Sequence, residues 1–283
     1  MRTSARAFSL LLLLLAQACS PELPERELLL ATTTSLQDSG LLDELLPRFR
    51  EHTGIAVRTV AVGSGAALRM GQEGNVDILL THTPEAEQEL VDSGAVLGRR
   101  PFMENYFVIA GPPGDPFGIA GADSALSSYQ RLWREHAPYV SRGDDSGTHK
   151  RELALLRAAG LEAVGDWEGY VRTGSGMGLS LQVAGERRAY ILSDMGTFLA
   201  FKDRANLVSL SREEPTLRNV YSILRVNPER FPGRIRAESA LELQRFLVAA
   251  DVQLRIAAFG RERFGQPLFR PLSLGAGAEA AVD

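Results

Sequence analysis

The chain has 283 residues, 45% hydrophobic and 23% charged, an ordinary globular composition and length enough for about two domains of roughly 100–200 residues. A formal net charge of -4 with scattered basic residues argues against a nucleic-acid surface, because contact with a phosphate backbone leaves a clustered Lys/Arg excess. The single cysteine, Cys19, excludes an intramolecular disulfide.

At the N-terminus Arg2 and Arg6 precede an apolar run over 8–15 and then Ala16-Gln17-Ala18-Cys19-Ser20, the layout of an export signal spanning 1–18. The run is too short to cross a bilayer, which takes about 20 helical residues. Cys19 directly after the small residues predicts a lipoprotein box in which it becomes the lipidated N-terminus; an ordinary Ala-x-Ala signal cleaved before Cys19 is the alternative. Either would export the chain, to the periplasm or to a lipid anchor on the membrane. Residues 19–27, rich in Pro and Glu, form a tether.

Short apolar strands then alternate with helical patterns, which predicts an α/β fold with parallel strands. A buried strand over 28–32 leads into a polar loop over 33–38, and Leu41, Leu42, Leu45, Leu46 and Phe49 recur at helical spacing. Asp38 or Ser39 is the expected N-cap of that helix, Gly54 its breaker, and Pro47 an awkward interior residue. A strand over 57–62 is followed by Gly63-Ser64-Gly65 and a short helix over 66–70; a strand over 76–80 is followed by a helix over 85–91. The strand over 102–109 ends at Gly111-Pro112-Pro113-Gly114, the strongest punctuation in the chain and the expected lobe boundary. Lobe 1 is then 28–110 with 221–283, and lobe 2 is 111–220.

In lobe 2, Tyr139-Val140-Ser141 leads to Arg142-Gly143-Asp144-Asp145-Ser146-Gly147-Thr148 and a helical pattern through Leu153 and Leu156. Thr173-Gly174-Ser175-Gly176-Met177-Gly178 opens a helix running to about Gly185, and a strand over 189–192 precedes Ser193-Asp194-Met195-Gly196-Thr197, which opens another short helix. A strand over 219–226 returns to lobe 1, a long helical pattern covers 238–259, and 275–283 is an Ala/Gly-rich, frayed end.

Four loops share one design, a strand end followed by a Ser/Thr/Gly-rich turn and a helix start: 32–35, 63–65, 142–148 and 173–178. A helix N-terminus presents unpaired N–H groups and the positive end of the dipole, so it suits anions; glycines allow close approach and hydroxyls add neutral donors. Each loop taken singly is also what caps and turns prefer. Two on each side of the boundary point to a shared site at the carboxyl ends of the strands. Arg142 would supply a planar fork for oxyanion oxygens. Catalytic patterns are thin. There is no Gly-x-Ser-x-Gly elbow, no Walker A sequence and no dinucleotide fingerprint. His52, His82, His136 and His149 have no metal-ligand spacing. Asp144-Asp145 either caps the following helix or holds a metal, and capping is the simpler reading.

Ala31-Thr32-Thr33-Thr34-Ser35 with Asp38-Ser39-Gly40-Leu41-Leu42, the 141–148 segment and the 173–178 segment together resemble the tungstate-binding proteins of tungstate ABC importers. Tyr190-Ile191-Leu192-Ser193-Asp194-Met195-Gly196-Thr197 and Asn219-Val220-Tyr221-Ser222-Ile223 extend the resemblance over about 28–260, while Leu36-Gln37 and Met195 depart from the family pattern and bear on anion selectivity. The resemblance implies a type II periplasmic-binding-protein fold, two α/β lobes joined by a crossover hinge with the ligand in the cleft. It also implies no catalysis and no cofactor, an ABC permease and ATPase as partners, and no nucleic acid. By position it implies Thr34, Ser35, Ser64 and Gly65 as binding residues in one lobe and Arg142, Ser146, Gly147 and Thr148 in the other, with Thr33, Ser175 and Asp194 as further candidates. Tungstate and molybdate are unprotonated dianions near neutral pH, so their ideal site offers donors only, whereas phosphate keeps a proton and wants an acceptor. Asp144, Asp145 or Asp194 is such an acceptor or a helix cap. The expected ligand is tungstate, with molybdate or phosphate as alternatives within the oxyanions; an exported hydrolase using Ser64 or Asp144 is the alternative of another class.

Overall fold

The computed structural model describes residues 26–161 and 167–274. The signal, Cys19, most of the tether and the 275–283 end lie outside the described residues. Strand β1 (Arg26–Thr33) lies between two parallel neighbours, β2 (Ile55–Val62) and β3 (Ile78–Thr81). Covered on both faces, it buries Leu28, Leu30 and Ala31 completely, which explains its unbroken apolar run. Alternate side chains serve different cores. Leu28 and Leu30 pack with helix α2 (Leu41–Thr53), while Ala31 packs with α3 (Ser64–Gln72). Asp77 joins the chain's distant parts here, accepting from Leu29 N at 2.8 Å and from Arg236 N at 2.7 Å.

After α4 (Pro84–Asp92), the long strand β4 (Arg100–Gly111) passes from one lobe to the other. Its first half, up to Tyr106, pairs with β9 (Arg218–Arg225); from Phe107 it pairs with β7 (Tyr190–Asp194). The change of partner falls between Tyr106 and Phe107, ahead of the Gly111–Gly114 punctuation expected to mark the boundary, and β9 is already paired in lobe 1 from Arg218. Gly111 and the prolines end the strand's hydrogen bonding; the lobe changes where the pairing changes. Lobe 2 adds α5 (Ala125–Arg134), β5 (Tyr139–Ser141), α6 (Gly147–Ala158), β6 (Tyr170–Arg172), α7 (Met177–Glu186), α8 (Met195–Ala205) and β8 (Val208–Ser209). Lobe 1 is completed by α9 (Ala237–Leu247), α10 (Ala250–Ala258), α11 (Arg261–Phe264) and β10 (Arg270–Pro271). The resulting order is β2-β1-β3-β9-β4-β7-β5-β6, the two-lobed α/β arrangement expected of a type II periplasmic-binding fold.

Several expectations are corrected. Arg26 and Glu27 belong to β1, in register with Ile55 and Ala56, not to the tether. The loop over 33–38 contains a short helix, α1 (Thr34–Asp38), because Thr33 caps it. Gly40, in the left-handed region at φ 82°, precedes α2 in place of Asp38 or Ser39, and Pro47 is held inside that helix. α3 and α6 begin earlier than read, at Ser64 and Gly147, so these residues are helix starts. The 238–259 pattern is broken at Ala249, whose extended ψ of 144° ends hydrogen bonding between α9 and α10. α5, started by a capping box of Ser124 and Ser127, had no counterpart in the sequence reading.

Lobe 2 buries a carboxyl beneath α6. Glu152 on α6 is 1% exposed and accepts from the Tyr170 hydroxyl at 2.5 Å. Burial pushes its carboxyl up to about 7, against that hydrogen bond. A carboxyl raised in the folded state stabilises the fold while protonated; this stability is present below the ordinary Glu range and lost as pH rises through about 7. Glu152→Gln keeps an acceptor for Tyr170. It should raise the melting temperature above that pH, by about 2–4 °C per kcal/mol gained, and give no gain in acid, as thermal unfolding at the two extremes would show.

Candidate functional site

The strand ends fix where the polar loops sit. Thr32 Oγ1 donates to Leu80 O at 3.0 Å and pins the end of β1 to β3. Thr33 Oγ1 accepts from Leu36 N at 3.4 Å, and buried Leu36 seats the short helix on the core. Thr34 and Ser35 are thereby turned outward, into a cleft of about 520 Å³ between the lobes. Lobe 1 contributes Thr34, Ser35, Asp38 and Gly63 to it; lobe 2 contributes Arg142, Asp144, Ser146, the 176–178 turn and the start of α8 with Phe201. A wider groove of about 1100 Å³ runs between α2 and edge strand β2, lined by Leu42, Leu46, Pro47 and Val57 together with Asp43, Arg50 and Glu51, and none of the four loops reaches it.

Arg142 is 7% exposed and its guanidinium grips Asp144, with Nε to Oδ2 at 3.1 Å. Asp144 Oδ1 in turn accepts from Ser146 N at 3.2 Å. Burial opposes the charged form of Asp144, but the hydrogen bonds from Ser146 and the Arg142 charge outweigh it, so the carboxyl stays below its ordinary value. The left-handed turn that aims this pair needs Gly143, at φ 61°, where a side chain would also strike Arg172. From behind, Gly174 N donates to Arg142 O at 2.8 Å and Thr173 Oγ1 donates to the same carbonyl at 3.2 Å. The 173–178 loop thus braces Arg142, and its end forms cleft wall.

The remaining candidates fall into distinct places. Ser146 caps α6, accepting from His149 N at 3.3 Å, and lines the cleft. Ser64, Gly147 and Thr148 are buried, Ser64 and Gly147 where the two lobes meet. A Cβ on Gly147 would lie 2.9 Å from Ser64 Oγ and 2.8 Å from His82 Cε1, both in lobe 1. Gly65 faces Lys150 Nζ across the same flank, 3.3 Å from where its Cβ would stand. Thr33 is spent on capping, and Ser175 bonds within its own turn, donating from Oγ to Thr173 O at 3.3 Å. Asp194 caps α8, accepting from Thr197 N at 2.9 Å. Asp145 is exposed and turned toward Lys150, away from the cleft.

Sequence reasoning missed His82 and Asn219 as a pair. His82 Nδ1 lies 2.8 Å from Asn219 Oδ1, and Asn219 Nδ2 donates to Asn105 Oδ1 at 2.8 Å, linking β3 to both crossing strands. With the amide so oriented, Nδ1 carries the proton. Burial holds the imidazole below its ordinary value. Spacing gives no signal for a contact spanning so many residues. Ala200 and Phe201 of the apolar wall were likewise hidden in a helical pattern, whereas Met177 and Gly178 end the 173–178 loop already read as part of the site. No hydrogen bond joins Ser64 to His82 among the described residues, and none of them forms a cluster of three or more His, Cys, Asp or Glu that could hold a metal.

Two outcomes test this geometry. Arg142→Ala removes the cleft's guanidinium and leaves Asp144 facing the anion; with about 1.5–3 kcal/mol per charge-assisted hydrogen bond, anion affinity should fall at least about tenfold while thermal unfolding of the free protein stays two-state. Gly147→Ala sets a methyl between the lobes, and an overpacking cost of about 1–3 kcal/mol should weaken anion binding by roughly ten- to a hundredfold in calorimetry.

Comparison with known proteins points one way. A family model described as a PBP superfamily domain matches residues 19–250. The chain is 41% identical over 246 residues to the tungstate-binding protein TupA of Peptoclostridium acidaminophilum, covering 86% of this chain and 85% of that protein. Among solved structures, the tungstate-binding protein TupA from Desulfovibrio alaskensis superposes with a TM-score of 0.79 at 37% identity, covering 88% of this chain and all (100%) of that one. The structure of the tungstate ABC transporter protein from Geobacter sulfurreducens does so with a TM-score of 0.72 at 42% identity, covering 81% and 96%.

Proposed function

Because this chain belongs to the PBP superfamily, and within it to the tungstate-binding proteins, we propose that it is the extracytoplasmic binding component of an ABC importer and captures tungstate by closing its lobes. The observation that carries this reading is the cleft in which Thr34, Ser35 and Gly63 face Arg142 and Ser146 from the opposite lobe. A tetrahedral oxyanion there collects donors from both lobes only when they are closed, so binding favours the closed state by differential contact. Gly147 already touches Ser64 and His82 across the flank, which makes a closed arrangement sterically available with glycine and with no larger residue.

The chemistry is binding without turnover. Ser64 is 2% exposed with no base bonded to it among the described residues, and Asp144 is held by Arg142 and Ser146, so neither is presented as a nucleophile. The reading needs no cofactor. A permease and an ATPase are the partners, and Cys19, outside the described residues, serves as a lipid anchor at the membrane surface.

Calorimetric titration and thermal shift with tungstate, molybdate, sulfate and phosphate are the direct test. Tungstate should saturate the protein and, at about a hundred times its Kd, add about 2.7 kcal/mol of stability. Molybdate, nearly the same size, should compete. An absence of any response to all four anions would remove the oxyanion function.

A further inference from the structure

The formal charges around the cleft do not favour a dianion. Arg142 is the only cation among its described lining residues, and Asp144 has already taken that guanidinium. Two further carboxylates stand on opposite lobes. Asp38, exposed on α1, lines the cleft, and Asp194 lies at the start of α8, just ahead of the lining residues Gly196 and Thr197. The two elements meet, because a Cβ on Gly196 would be 3.4 Å from Asp194 Oδ1 and 4.0 Å from Ser39 Cβ. Asp194 is 2% exposed, and while its Oδ1 accepts from Thr197 N, its Oδ2 has no hydrogen-bond partner among the described residues. A buried carboxylate oxygen without a donor is costly by itself. One positive and three negative side chains leave these walls net negative before any ligand enters. A dianion carries no proton of its own to ease this.

We propose that Asp38, standing against Asp194, takes up one proton from solvent when the oxyanion binds, so that capture is proton-coupled. The step moves a single proton from bulk water to a carboxylate oxygen and breaks no other bond. The neutral carboxyl then donates its O–H to the anion or to the unpaired oxygen opposite. The groups facing the pair are Arg142, whose charge opposes protonation, Asp144, which is tied to Arg142, and the buried Tyr221 and His82 beside Asp194. Before any ligand arrives, desolvation and then Asp194 hold the Asp38 carboxyl above its ordinary value, against Arg142. A bound dianion raises it further. Because the complex then holds more protons than the free protein, lower pH favours the complex, with affinity changing by up to about tenfold per pH unit for one proton.

This inference rests on the oxyanion reading above, and one experiment separates the two. Tungstate is titrated calorimetrically into the full chain near neutral pH in two non-competing buffers of different ionisation enthalpy. The expected result is an observed enthalpy that depends on the buffer, with a slope close to one proton taken up, and an affinity that weakens as pH rises. Asp38→Asn should still bind, more tightly than wild type at high pH, with the buffer dependence and pH slope lost. Asp194→Asn retains an acceptor for Thr197 N and should also reduce the uptake. Normal tungstate binding with identical enthalpies in both buffers would overturn proton coupling alone. Uptake that persists in both variants would overturn its assignment to this pair. No heat in either buffer, together with no thermal shift, would overturn the proposed function and the coupling with it.

Discussion

A guanidinium that is 7% exposed has to be paired, and the pairing of Arg142 with Asp144 organises the cleft around it. The turn that brings the two side chains together requires the left-handed Gly143, and the carbonyl of Arg142 is fixed by Gly174 and Thr173 from a neighbouring strand end. Asp144 passes the constraint on, since its second oxygen accepts from Ser146 N at the start of α6. Charge, turn and helix start therefore form one unit. Asp144 engages both Nε and Nη2 of the guanidinium, so the buried cation is compensated within its own turn.

The second constraint is the strand that both lobes share. β4 donates and accepts in two sheets, and Asn105, just before the change of partner, is bonded to Asn219 on the returning strand. Asn219 also holds His82, whose ring packs against Tyr221 at a tilt of 35° with centroids 4.8 Å apart. This buried polar chain sits beside the contact between Gly147 and lobe 1. Backbone pairing runs continuously through this crossing, while Asn105 Nδ2 is buried without a hydrogen-bond partner among the described residues.

Electrostatics then distinguishes this cleft from a simple bowl of donors. Its hydroxyls and amides suit a fully deprotonated oxyanion, while Asp38 and Asp194 set a negative background that such an anion must overcome. The two features are compatible if the site's protonation changes with its occupancy, as the proposed coupling requires. The apolar wall of Met177, Ala200 and Phe201 lowers the local dielectric and strengthens each of these interactions.

Local sequence determined the alternation of strands and helices, the strand over 139–141, the Gly54 helix end and the polar character of the four loops, because period, capping and turn chemistry act over a few residues. It also marked Thr34, Ser35, Arg142 and Ser146, whose types suit an oxyanion wherever they gather. Tertiary structure alone decided which of the candidates line the cleft. Thr33 and Ser175 carry hydroxyls like Thr34, Ser35 and Ser146 but are turned into a cap and a turn, and Gly147 meets Ser64 and His82 across the lobes. The lobe crossing at Tyr106 and Phe107, ahead of the Gly111–Gly114 punctuation, and the break of the 238–259 pattern at Ala249 were equally hidden. The physical reason is common to all of them: strand partners, interlobe contacts and the pairing of buried charges depend on residues far apart in the chain, and no local propensity encodes a distance between them.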